Sequence, residues 1–138
     1  MSRRAVYLLL AAAFALAACE MESGEGTVVG SPSDQVIAGL TFTVDTTYVD
    51  GSGGGTLVAK GKVRNAGNST ATSPWYVEGQ FYTDRTKQLK LGGNYVRIGV
   101  PLGPGQGTLW TLTFSSSAND VRQYPGFTVG DLRGIYKQ

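Results

Sequence analysis

The 138-residue chain has no histidine, one cysteine and two methionines. Without histidine there is no serine–histidine–aspartate relay and no imidazole to hold a metal. A lone cysteine cannot form a disulfide within the chain, so the fold must be held by its core alone. Long apolar runs are missing too. The longest, Ala5 to Leu16 with the alanines after it, is about 14 residues, short of the roughly 20 that a spanning helix needs. No window shows apolar residues at helical spacing, which argues against a helical domain. Charge of one sign is also scarce. Lys+Arg number 12 and Asp+Glu 10. Loss of Arg3 and Arg4 with a leader would leave ten of each, so the basic pI is no argument for nucleic acid.

Recognisable chemistry is thin as well. The run Gly51 to Gly55 has no lysine-serine/threonine after it and reads as a hairpin loop, not a phosphate cradle. Asp45, Asp50, Asp84 and Asp131 lack the Asp-x-Asp spacing of a calcium loop. Asn68-Ser69-Thr70 fits a glycosylation triplet and is expected to be a polar loop. Glu78 and Asp84 lie about 20 Å apart along one strand, at roughly 3.3 Å per residue, too far for a glycosidase carboxylate pair. Glu78 is expected instead to face Lys60 or Lys62 across a strand pair. The sequence therefore calls for no cofactor, no metal site, no catalytic residue and no enzymatic activity.

What is present is alternation with a period of two. Leu40, Phe42 and Val44 alternate with Thr41, Thr43 and Asp45. Leu57, Ala59, Gly61 and Val63 oppose Val58, Lys60, Lys62 and Arg64. Trp75, Val77, Gly79 and Phe81 oppose Tyr76, Glu78, Gln80 and Tyr82. Trp110, Leu112 and Phe114 form one face of the most regular strand, and both tryptophans are expected in the core. Leu89 to Val100 holds one strand or two, with a bulge expected at Gly92-Gly93. A short helical turn fits Ala118 to Gln123, and Phe127 to Lys137 closes the chain. Glycine-rich turns between short strands predict an all-β fold, an antiparallel immunoglobulin-like β-sandwich of about 6–8 strands over residues 36–138.

The N-terminal stretch differs in kind. Arg3 and Arg4, a short apolar run and then Leu16-Ala17-Ala18-Cys19 have the three parts of an export signal. This stretch resembles the lipobox of bacterial lipoproteins. The resemblance implies removal of residues 1–18, a diacylglyceryl thioether on Cys19 and acylation of the new amino terminus. Stable anchoring takes two or more acyl chains, which that modification supplies. The two arginines partly resemble a twin-arginine signal, but the general secretory route is favoured. In the lipoprotein family an aspartate after the cysteine commonly retains the protein at the inner membrane. The resemblance therefore implies that Glu20 is permissive for sorting to an outer membrane or surface, with the outer membrane favoured in a two-membrane cell. Residues 19–35 are small, polar and acidic and read as a flexible tether. The alternative for Thr27-Val28-Val29 is a short first strand.

Gly61-Lys62-Val63-Arg64-Asn65, the strand end Phe81-Tyr82-Thr83-Asp84 and Leu102-Gly103-Pro104-Gly105 before Leu109 to Phe114 resemble the FxLYD domain. That family implies a small immunoglobulin-like sandwich on exported proteins, with no catalytic residues to carry over. The name-giving motif departs here, since no leucine precedes the tyrosine–aspartate pair. Together these readings predict a lipid-anchored protein of the cell envelope whose domain is a noncatalytic adaptor or accessory. Its partners are the membrane, through the lipid, and an envelope protein or glycan. The alternative function is a glycan- or peptidoglycan-binding module, in which exposed Tyr76, Tyr82 and Tyr95 stand beside Lys60, Lys62 and Arg64 as a ligand face.

Overall fold

The computed structural model describes residues 33–138. The leader, Cys19, nearly all of the tether and the alternative strand at Thr27–Val29 lie outside the described residues. Seven strands follow in order: β1 Gln35–Val36, β2 Leu40–Asp50, β3 Thr56–Asn65, β4 Trp75–Tyr82, β5 Lys90–Ile98, β6 Gly107–Phe114 and β7 Thr128–Tyr136. One 3-10 turn, Val121–Gln123, precedes β7 and is capped by the Asp120 carboxylate. Every strand pairing is antiparallel. The strands form two sheets, β1-β7-β4-β5 and β2-β3-β6. The chain crosses between sheets at β1–β2, β3–β4, β5–β6 and β6–β7, as in an immunoglobulin-like sandwich.

Alternation predicts the buried faces well. Leu57, Ala59 and Val63 of β3, Trp75, Val77 and Phe81 of β4, and Trp110 and Leu112 of β6 meet in one core. Phe81 stacks between Phe114 and Phe127, with centroids 5.4 and 5.9 Å away. Gly61 permits the closest inter-strand approach, since a Cβ there would overlap the Thr43 carbonyl and the Trp110 ring. Leu89 to Val100 contains one strand, β5, and the expected bulge falls beside Gly92. Phe81 pairs with Gly92 and Tyr82 with Lys90, leaving Leu91 over. A second bulge sets Asp45 out of register in β2.

The buried Asn65 ends β3 and staples two loops. Its Nδ2 donates to the carbonyls of Ser69 (2.7 Å) and Leu102 (2.8 Å), and its Oδ1 accepts from the Gly67 amide at 3.0 Å. That is the physical content of the Gly-x-Val-x-Asn pattern: a polar side chain inside, with its donor and acceptor both used. The start of β1 lies at this same end of the sandwich, because Gln35 pairs with Tyr136. The turns at Gly51–Gly55, Thr83–Leu89 and Ser115–Phe127 lie at the far end.

The tether boundary needs a correction. Asp34 and Gln35 belong to the folded domain, since the Asp34 side chain is only 1 % exposed and bonds to Lys137 Nζ at 3.2 Å. Two residues of strand carry no readable periodicity, so the sequence could not place them.

Candidate interaction surfaces

The predicted ligand face divides in two. Lys60, Lys62 and Arg64 belong to β3, whereas Tyr76 and Tyr82 belong to β4 and Tyr95 to β5. These strands lie in different sheets, and the residues named point outward from each. The outward faces of a sandwich look in opposite directions. The tyrosines and the basic row are thus not one site. For the same reason Glu78 does not face Lys60 or Lys62. It pairs across β4 and β7 with Arg133, whose Nε is 2.6 Å from Glu78 Oε1. Alternation finds the face that a residue occupies, but the choice of neighbouring strand is a long-range event that period two does not encode.

On the β1-β7-β4-β5 sheet, the tyrosines are engaged with neighbours. Tyr76 and Tyr95 meet edge to face, with centroids 5.7 Å apart and an interplanar angle of 85°. Lys137 Nζ lies 4.3 Å from the Tyr95 ring centroid while also bonding to Asp34. The Tyr82 hydroxyl donates to Asp131 Oδ2. That bond, with lesser contributions from burial and the carboxylate's charge, pushes the phenol above its usual pKa. Beneath them Glu78 is 1 % exposed and Gln80 is also buried. Glu78 Oε2 and Gln80 Oε1 have no hydrogen-bond partner. This outward face is therefore a covered polar layer more than an open platform. Arg133, Lys137 and Asp34 complete it. Nothing local in the sequence marks these three, because each finds its partner across the sheet or across nearly the whole chain.

The outer face of the β2-β3-β6 sheet is plainer and more open. Directly paired residues share a face, and the register gives three rows. Arg64 is flanked by Thr41 and Gly107, Lys62 by Thr43 and Leu109, and Lys60 by Thr46 and Thr111. All three basic residues are exposed. Asp45, displaced by its bulge, reaches Lys62 at 3.8 Å with both side chains in water. Lys60 Nζ stands 5.7 Å from the Tyr48 ring centroid. A shallow hollow of about 330 Å³ runs beside the row, lined by Lys62, Val63, Arg64, Gly107, Thr108 and Leu109. A second, larger hollow of about 490 Å³ lies at the tether end, between Gln35–Gly39 and Gly67–Thr70.

Among the described residues, no group of three or more His, Cys, Asp or Glu side chains could hold a metal ion. None of their helices is long and apolar enough to cross a membrane. No family model, no curated protein and no solved structure matches this chain.

Proposed function

We propose that the protein is a lipoprotein of the cell envelope, held by acyl chains on Cys19, whose sandwich is a noncatalytic interaction domain. The observation that carries this reading is Leu16-Ala17-Ala18-Cys19, placed directly after a basic residue pair and a short apolar run. The fold is compatible with it. Chain enters the sandwich at Asp34, and the turns at the opposite end are then held farthest from the lipid. The likeness to FxLYD domains supports an exported sandwich module and supplies no chemistry. A domain with exposed polar faces, moored by a polar tether, is suited to an adaptor or accessory role. Glu20 is permissive for outer-membrane sorting in a two-membrane cell.

Cys19→Ala tests the anchor. The wild type is expected to take up labelled fatty acid and to fractionate with membranes. The variant is expected to lose the label and to leave the membrane fraction. A variant that still carries the label, or a mature chain that starts anywhere but Cys19, would overturn the reading.

A further inference from the structure

The basic row on β3 is the feature with the least internal explanation. Lys60, Lys62 and Arg64 stand at alternate positions of the central strand, so their Cα atoms follow one line at intervals of about 6.6 Å, twice the strand rise. Like charges in such a row repel, and a sheet gains nothing from the arrangement by itself. Asp45 offsets only one of them, through an exposed pair of the kind that contributes little. Arg64 makes no ion pair with any described residue. Its flank is bare, because its β6 neighbour is Gly107.

We infer that this face binds an extended, phosphate-bearing linear polyanion lying along β3. Three arguments select that occupant. The charges form a line, so a chain with repeated negative groups can meet all three, whereas a single small anion meets one. The hollow opened by Gly107 runs alongside Lys62 and Arg64, with Leu109 as its far wall, 69 % exposed. The shoulders carry the hydroxyls of Thr46 and Thr111, which donate to phosphate oxygens while the guanidinium and ammonium groups supply charge. Those of Thr41 and Thr43 donate to the Arg64 carbonyl and to Asp45 and must turn to do the same. An acidic protein surface would need a cluster of apolar anchors to hold it, and the large ones exposed here, Leu109 beside Lys62 and Tyr48 beside Lys60, stand apart on opposite flanking strands. The inference gives the proposed interaction domain a ligand class, and it does not depend on the lipid anchor.

The test uses the full-length chain in neutral detergent and long-chain inorganic polyphosphate as probe. The wild type is expected to bind with an affinity that falls steeply with salt. Lys60→Ala/Lys62→Ala/Arg64→Ala is expected to bind about tenfold more weakly at moderate salt. Its slope of log affinity against log salt should be shallower by about 2, from roughly 0.7 per contact with a single strand. A control removes equal charge elsewhere through Arg85→Ala/Lys90→Ala/Arg97→Ala, and should bind as the wild type does. All six side chains are exposed, so both variants keep the core. Equal loss in the two variants, no loss in the first, or tighter binding to polyglutamate or to anionic vesicles than to polyphosphate would overturn the inference.

Discussion

Glu78 is a charged residue with only 1 % of its surface exposed. Its carboxylate is buried on the outward face of a sheet, held by one guanidinium at 2.6 Å, and its second oxygen is unbonded. Burying an ion is offset only when a partner stays in place, and removing that partner leaves the charge uncompensated. Arg133→Ala is therefore expected to destabilise the domain by about 3 kcal/mol, the low end of the range for broken buried pairs. Glu78→Gln should cost less, because the Arg133 side chain is 31 % exposed and can turn to water. Urea denaturation of both variants checks the order. An Arg133→Ala domain as stable as the wild type would mean that the pair contributes nothing. Tyr82 tests the neighbouring contact. Its pKa is raised in the fold, so its contribution is complete below the ordinary tyrosine value and is lost as pH climbs through the raised one. Stability of the wild type should fall more steeply than that of Tyr82→Phe in strong alkali, measured by denaturation at a series of pH values.

At the scale of elements, the turns are built by short acids that bond back to the chain. Asp50 accepts from the Ser52 amide at 3.0 Å and its hydroxyl at 2.8 Å, closing the β2–β3 hairpin. Asp84 does the same with Thr86 between β4 and β5. Such two-residue loops compete well with extended backbone and mark turns. The Ser52 amide, then the Ser52 hydroxyl, hold the Asp50 carboxyl below its usual pKa. A lowered carboxyl supports the turn above the ordinary aspartate pKa and releases it as pH falls through the depressed value. Titration followed by NMR should give Asp50 a midpoint below that of a free aspartate, and Ser52→Ala should move it upward. An unchanged midpoint in Ser52→Ala would remove the hydroxyl from the account.

Elements were also what the sequence made most legible. β3, Thr56–Asn65, contains the whole alternation from Leu57 to Arg64, and β6, Gly107–Phe114, contains the Trp110-Leu112-Phe114 face. Turn chemistry and period two are local, so they survive in a linear reading. What was lost is pairing. Glu78 meets Arg133, 55 positions away, and Asp34 meets Lys137 across 103. No local pattern carries that information. The tyrosines and cations read as one ligand face both turn outward, on different sheets, for the same reason.

At the scale of the molecule, the two outward faces differ in kind. The covered tyrosine and carboxylate layer stabilises one sheet, while the basic row on the other is open to solvent. The sandwich between them is about 10 Å thick. Two partners could sit on the faces without touching each other. The closing register has a consequence of a different kind. Gln35 and Tyr136 are paired, so a short glycine-serine link could join those positions and new termini could be cut at Gly53, in the exposed β2–β3 loop. Every strand would keep its neighbours in such a circular permutant, which would give up the Asp34–Lys137 pair while the order of synthesis changes.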